Sequence, residues 1–485
     1  MTNSISLSAK KKAILMINVE LSLSELEVYK SYANKNLPRH TSYPAAPFWE
    51  SDTKTLTLFH ILENLEKDKD DFSLYIHIPY CRSLCYYCGC NKEIYDDERM
   101  KKKDPRETFL EKLFQEIHFY KKFFKERKLK QIHLGGGTPT FLSAPQLNQM
   151  MEEIYAHFQL AKNPEISVEV DPRVTTIDHL DVLKKQQFNR ISLGVQDFDL
   201  KVQKAVNRVQ SFSLVKTLVE ECRKRNFSIN FDLIYGLPYQ TKESMTETLE
   251  QVLQLSPDRI AFYRLAMIPE MFRWQKSFAR HDLPEEDKLL EINLLAIKTF
   301  TSRGYHFIGL DHFAKEDDSL TQAYKEGTLR RNFQGMTTYN DLEILGIGPS
   351  SISQFKSSYI QRTKDNKNWL EASNTNFLFE KFCVFTEDDL IRKEVISNIY
   401  CYGIVDKKAL EKQFNISFEE YFKNEKYKIA QLKKEGILEE KDGTLVLKGL
   451  LGRLLVRAVA ACFDSYLVEN PNQEKGARVF FSKLG

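Results

Sequence analysis

Between Phe72 and Pro269, short runs of β-branched and aromatic residues alternate with longer stretches whose apolar residues recur every three or four positions. That alternation marks repeated βα units, which build a parallel sheet because each helix carries the chain back to begin the next strand. It predicts six strands, at Ser73–Ile78, Gln131–Leu134, Ile166–Val170, Arg190–Val195, Ser228–Ile234 and Arg259–Leu265. In the first connection Leu110, Leu113, Ile117, Tyr120 and Phe124 share one helical face, so Pro105 to Leu129 reads as one amphipathic helix. Pro105 suits its first turn, where an N–H would have no partner. Helices are likewise predicted at Ala144–Phe158, Ile177–Gln187, Ser213–Arg225, Glu243–Leu255 and Glu285–Arg303. Six consecutive units favour an α/β fold, a partial TIM-type (β/α)6 barrel, over an open two-layer sheet.

After Phe355 the pattern changes. Lys356 to Asn376 is rich in Lys, Asn, Ser and Thr and reads as a surface connection. Acidic residues following Thr386, and the capping-box spacing of Ser417-Phe-Glu-Glu420, predict two helix starts. Lys441-Asp-Gly-Thr444 predicts a tight turn before the strand-like Leu445–Leu447. The expected organisation is an N-terminal arm (1–70), a barrel with an extension (71–355) and a mostly helical C-terminal domain (356–485). Helices followed by a hairpin and another helix suggest a winged-helix-like module, yet no basic stripe accompanies them, so nucleic acid is not an expected partner.

Composition narrows the classes further. With 485 residues the chain has room for about three domains. Hydrophobic residues make up 42%, and 19 Gly with 15 Pro are too few for a collagen-like or largely disordered chain. Seventy Lys and Arg against 67 Asp and Glu leave a net charge of +3, so an anionic partner has to be met by a local arrangement. The apolar run from Ala13 to Val19 is far short of the ~20 residues a bilayer span needs and lacks a signal-peptide cleavage pattern. Leu450 to Phe463 carries Arg453 and Arg457 and reads as an amphipathic core helix. The basic runs Lys10–Lys12 and Lys101–Lys103 read as solvated surface. A cytoplasmic protein, by default a monomer, is expected.

Four of the eight cysteines, Cys81, Cys85, Cys88 and Cys90, fall within ten residues, just beyond the first strand. Barrel enzymes place their chemistry at that C-terminal rim. Cys81-Arg-Ser-Leu-Cys85-Tyr-Tyr-Cys88 is a C-x3-C-x2-C motif: three thiolates on one loop can ligate three irons of a [4Fe-4S] cluster and leave the fourth open to a ligand. Cys90 leaves an all-thiolate zinc site open as the alternative, although structural zinc usually draws paired ligands from two separate knuckles. Gly135-Gly-Gly-Thr-Pro139, after the second strand, would let backbone approach a ligand closely.

The cysteine motif resembles that of the radical S-adenosylmethionine (SAM) enzymes. Tyr75-Ile-His-Ile-Pro-Tyr-Cys81 running into Cys88-Gly-Cys90 resembles more closely the oxygen-independent coproporphyrinogen III oxidases of the HemN type. So do Pro38-Arg-His-Thr-Ser-Tyr-Pro44, Glu169-Val-Asp-Pro172, Gly194-Val-Gln-Asp197, Asp232-Leu-Ile-Tyr-Gly-Leu-Pro238, Gly309-Leu-Asp-His-Phe313, Asn332-Phe-Gln-Gly335 and Cys462-Phe-Asp464, in that order. Only about the first 20 residues and the last few look additional.

The resemblance implies a [4Fe-4S] cluster on Cys81, Cys85 and Cys88 and two SAM molecules. It places the first SAM against Tyr75, Gly136, Glu169 and Ile352, and the second against Tyr87, Gly137, Thr138, Gln196, Arg208, Asp232 and Ala266. These residue types suit the task, since carboxylates and amides accept from ribose hydroxyls or an ammonium and an arginine can grip a carboxylate bidentately.

The implied reaction is oxidative decarboxylation of two propionates of coproporphyrinogen III to vinyls, giving protoporphyrinogen IX in haem biosynthesis through a 5′-deoxyadenosyl radical. An electron donor and acceptor are required and the sequence identifies neither. A tetra-anionic substrate calls for arginines, of which Arg39, Arg264 and Arg331 are candidates. The chain departs from the family pattern at His40, Arg264, Leu265, Met267, Met336 and Pro349. A related radical SAM methyltransferase or cyclopropanase, and a HemW-type haem chaperone, are the alternatives.

Overall fold

The computed structural model describes residues 19–51, 55–95, 104–278, 282–339, 342–372, 379–467 and 481–484, the side chains of 55–60 excepted. Lys10–Lys12, Lys101–Lys103 and all but Val19 of the N-terminal apolar run lie outside the described residues. No described helix is long and apolar enough to cross a membrane.

Six strands, β1 (Phe72–Ile78), β2 (Lys128–Gly136), β3 (Gln159–Val170), β4 (Arg190–Gln196), β5 (Ser228–Tyr235) and β6 (Arg259–Arg264), pair in parallel in sequence order. The periodicity had placed all six. On β4 and β5 fully buried residues alternate with half-buried ones: Ile191, Leu193, Val195, Ile229, Phe231 and Leu233 fill the apolar core. Ser192, Asn230 and Asp232, on the other face, line the lumen. A parallel sheet covered on both faces can therefore bury polar groups inside while its outer face holds the fold together.

The sheet continues at both edges. After β6 come β7 (Tyr305–Gly309) and β8 (His312–Lys315), with β8 antiparallel to both β6 and β7. On the other side β9 (Glu343–Ile347) pairs parallel with β1, followed antiparallel by β10 (Ile352–Gln354), β11 (Ser358–Arg362) and β12 (Phe379–Val384). The order β12-β11-β10-β9-β1-β2-β3-β4-β5-β6-β8-β7 does not close on itself, so the barrel is incomplete.

Several details differ from the sequence reading. The helix expected over Pro105–Leu129 ends at Tyr120, tightens into a 3-10 turn over Lys121–Phe124, and β2 has begun by Lys128. The supposed surface connection from Lys356 contains β11, all five residues of which are buried; its residues from 373 on lie outside the described set. Arg362 can be buried there because it pairs with Glu116 and donates to the Tyr120 hydroxyl at 2.8 Å. Ser417 makes no side-chain cap: Phe418 N–H donates instead to Glu411 Oε1 (2.8 Å), and the helix is only Phe418–Tyr421.

Thr386 does cap the helix Glu387–Tyr402, exchanging bonds with Asp389. Asp442 and Gly443, both at positive φ, turn Leu438–Lys441 into Thr444–Leu447, and Ile404–Asp406 completes a three-stranded sheet. The expected Leu450–Phe463 helix is two, Gly449–Leu454 and Val456–Cys462, broken at Leu455. Arg457 is buried because its guanidinium donates to the carbonyls of Leu37, Pro38, Ser482 and Lys483, tying the arm to the C-terminus.

Candidate active site

Beyond β1 the chain forms a hoop, closed where Tyr80–Cys81 pairs with Glu93–Ile94. Cys81, Cys85 and Cys88 all line a cavity of about 250 Å³ at the C-terminal rim of the barrel. Cys81 Sγ lies 3.4 Å from Thr138 Oγ1, and Cys85 Sγ accepts from Arg173 and Arg208 at 3.6 Å each. Cys88 and Cys90 hydrogen-bond to one another, which is the main reason the Cys88 thiol is held below its ordinary value. Cys90 also lines the cavity.

Polar groups from successive strand ends form the opposite wall. Glu169, ending β3, accepts from Gly136 N–H and contacts His133 Nε2, both at 3.3 Å. Burial pushes its carboxyl up, but these partners more than offset that and leave it below its ordinary value. Asp232 on β5 accepts from the Ser192 hydroxyl at 2.7 Å and from Asn230 at 3.0 Å, yet burial dominates and raises it to about 6. Arg208 donates to the Gly194 carbonyl at 2.6 Å and to Asp171 at 3.1 Å. Burial raises the Asp171 carboxyl, and Arg208 with Arg173 overcomes this and brings it to about 2.

The glycine turn is shaped for close approach. Gly136 has φ 109°, and a Cβ on Gly137 would stand 2.7 Å from the Tyr80 carbonyl oxygen. Gly137 N–H donates to Ile78 and Thr138 N–H to Tyr80, both at 2.8 Å, which pins the turn against the hoop.

The cavity gathers Tyr87, Gly136, Gly137, Thr138, Glu169, Gln196, Arg208 and Asp232 with the three cysteines. Tyr75, Ala266 and Ile352 are not among its lining residues. The Tyr75 hydroxyl bonds His77 Nδ1 at 3.0 Å. The Ala266 carbonyl accepts from Gln275 at 2.9 Å, and Ile352 opens β10. Asp171, Arg173, Ser192 and Tyr263 also line the cavity and were not singled out from the sequence. Asp171 stands inside the Glu169–Pro172 motif, which was the available signal; the others carry none, because one strand's lumen face is recognisable only beside its neighbours.

Of the three arginines expected to meet propionates, Arg39 is paired with Asp311 and Arg264 with Glu286. Arg331 has no ion pair among the described residues, and its Nε is buried without a hydrogen bond. Among the departures from the family pattern, His40 bridges Tyr400 (3.2 Å) and Asp464 (3.0 Å), Met267 packs with Val202, Val206, Leu237 and Leu265, and Met336 lines the lumen.

Comparison with known proteins decides the family. Residues 75–252 match the radical SAM superfamily. The oxygen-independent coproporphyrinogen III oxidases of Salmonella typhimurium and of Escherichia coli K12 are each 38% identical over 460 residues, 94% of this chain and 98% of theirs. The chain belongs to the oxygen-independent coproporphyrinogen III oxidases. The solved structure of one family member, coproporphyrinogen III oxidase (HemN) from Escherichia coli, described as a radical SAM enzyme, superposes with a TM-score of 0.84 at 37% identity, covering 91% of this chain and 99% of that one.

Radical SAM oxidases of this family imply a [4Fe-4S] cluster and SAM, and the site fits both. The three thiols of one loop share one cavity, the donor set that a [4Fe-4S] cluster with one open iron takes. Arg208 Nε and Gln196 Oε1 are buried in the same cavity without partners, as a polar ligand would explain.

Proposed function

We propose that this protein catalyses the oxygen-independent oxidative decarboxylation of two propionates of coproporphyrinogen III to vinyls, yielding protoporphyrinogen IX for haem biosynthesis. The observation that carries the reading is the cavity that Cys81, Cys85 and Cys88 line together with Glu169, Gln196, Arg208 and Asp232, in a chain related to these oxidases over nearly its full length. When bound, the cluster and SAM supply the one-electron chemistry that permits hydrogen abstraction from the propionate β-carbon.

The chain's residues bind, orient and shield. Cys81, Cys85 and Cys88 hold the cluster. Tyr75, Gly136, Glu169 and Ile352 would meet the first SAM, and Tyr87, Gly137, Thr138, Gln196, Arg208, Asp232 and Ala266 a second. Arg208, braced by Asp171, supplies the positive charge for a carboxylate, and Asp232, braced by Ser192 and Asn230, accepts from hydroxyls. The segment Arg273–Ser277 lies against the cysteine hoop, with Trp274 Nε1 donating to the Cys88 carbonyl at 3.0 Å, and steadies it. A cytoplasmic monomer served by a separate electron donor and acceptor completes the proposal.

The test is anaerobic reconstitution with iron and sulfide, then incubation with coproporphyrinogen III, SAM, a reductant and an added one-electron acceptor. Protoporphyrinogen IX with 5′-deoxyadenosine and carbon dioxide is the expected outcome. SAM cleavage with coproporphyrinogen returned intact would reject the oxidase reading, and tight haem binding without turnover would make the protein a chaperone.

A further inference from the structure

The cysteine-side cavity is one end of a passage. It shares Glu169, Ser192, Asp232 and Tyr263 with a lumen cavity of about 130 Å³. The lumen in turn shares Gln131, Asn332 and Thr337 with a third cavity, of about 310 Å³. This third cavity lies at the opposite mouth, by Ser73 and Glu343 at the starts of β1 and β9. The arm residues His40–Tyr43, the hairpin of Arg330–Asn332 with Gly335–Thr337, and the helix Glu387–Tyr402 enclose it.

The charges at this mouth do not cancel. Its carboxylates are committed: Glu343 to Arg127 at 2.8 Å, and Glu394 to Arg330 at 3.6 Å and Asn398 at 2.9 Å. Arg331 is not matched. Its guanidinium carbon stands 5.4 Å from the Tyr400 ring centroid, Nε is buried without a partner, and the nearby Asp311 is taken by Arg39. A half-buried arginine with no carboxylate paired to it is free to take an anion in the cavity it lines. At the other end the Arg273–Ser277 segment lies against the hoop, with Lys92 Nζ 4.3 Å from the Trp274 ring centroid, and the smaller cavity there is lined by the cysteines and the residues placed against SAM.

We propose that the substrate enters through the mouth opposite the cysteine hoop and that Arg331 receives there a propionate carboxylate that is not reacting. This rests on the proposed function and adds to it a route and a residue. Arg331 is a positioning residue: it holds the macrocycle so that another propionate reaches down the lumen past Tyr263 and Asp232 towards the cysteine-side cavity.

The test uses the anaerobically reconstituted full chain as wild type, Arg331→Met, Arg331→Lys and Ser397→Trp, the last placing bulk on the helix face that lines the mouth. Expected is a tenfold or greater rise in KM for coproporphyrinogen III in Arg331→Met, largely restored in Arg331→Lys, and a tenfold or greater fall in kcat/KM in Ser397→Trp. Substrate-free formation of 5′-deoxyadenosine and the visible absorption of the cluster should match wild type in all three. Wild-type kinetics in both Arg331→Met and Ser397→Trp overturn the route, as does loss of cluster absorption or substrate-free SAM cleavage, which would assign these residues to the cofactor site. Coproporphyrin III, the stable oxidised tetracarboxylate, gives a Kd independent of turnover through its own fluorescence. If wild type binds it but converts no coproporphyrinogen, the proposed function fails; the mouth assignment stands on a tenfold weaker Kd in Arg331→Met and falls on an unchanged one.

Discussion

The Glu169 carboxylate accepts a hydrogen bond from the Gly136 backbone N–H at 3.3 Å, clasping the end of β3 to the end of β2. The clasp needs a chain with no side chain in the way. The Gly136–Gly137 turn must pass between Glu169 on one side and the cysteine hoop on the other.

Gly137→Ala tests that constraint. Its Cβ would meet the Tyr80 carbonyl oxygen at 2.7 Å and the Ile78 carbonyl oxygen at 2.9 Å, backbone atoms that cannot rotate away. The variant should lose roughly 1–3 kcal/mol of stability, as overpacked sites do. SAM affinity should fall at least tenfold. Thermal denaturation and equilibrium binding read the two effects; a variant with wild-type Tm and Kd would show the hoop and the turn to be independent.

Removing any one of Cys81, Cys85 or Cys88 by substitution with Ala should abolish cluster assembly, whereas Cys90→Ala should leave it intact. Iron and sulfide analysis with electron paramagnetic resonance of the reduced protein decides. Loss of iron in Cys90→Ala would make Cys90 a ligand, and zinc recovered after anaerobic purification would sink the cluster assignment.

The barrel was legible because its strands are apolar on the face that meets the helices, so Ile191–Leu193–Val195 and Ile229–Phe231–Leu233 declare themselves one strand at a time. Strand β11 was not, because Ser358-Tyr-Ile-Gln-Arg362 is polar; only the fold reveals that Glu116, from a helix far earlier in the chain, neutralises Arg362. Since β11 and β12 extend the barrel sheet, we propose that the boundary with the C-terminal part be drawn after Val384 rather than Phe355. The site was legible where chemistry is local, as in the cysteine loop. Ser192, Asn230 and Tyr263 come from three strands, and nothing in any one strand marks them.

Asp171 braces Arg208 and should be read out by acid. With its carboxyl at about 2 in the folded chain against an ordinary 3.8, it contributes stability above pH 4 that is lost as pH falls from 4 towards 2. Its worth at neutral pH is on the order of 2 kcal/mol. Asp171→Asn should be destabilised by about that amount at pH 7 and converge on wild type near pH 2. Denaturant unfolding over that range checks it, and a constant difference across the range would remove the Arg208 pairing as the cause.

Asp232 carries the opposite sign. Burial raises its carboxyl to about 6, so between pH 4 and 6 the folded chain holds a proton that the unfolded chain releases, and stability falls as pH rises through that window. Above pH 6 the penalty is complete and on the order of 3 kcal/mol. Asp232→Asn, which keeps the shape and removes the charge, should therefore make the cofactor-free chain more stable at pH 7.5 and flatten its pH dependence between 4 and 6. The reconstituted variant should keep its iron and lose turnover, because an amide offers the SAM hydroxyls a weaker acceptor than a carboxylate. Gain of stability with loss of product would identify Asp232 as a group kept for function at the expense of the fold. A variant no more stable than wild type would show that Ser192 and Asn230 already solvate the charge, and one with full activity would remove Asp232 from the second SAM site.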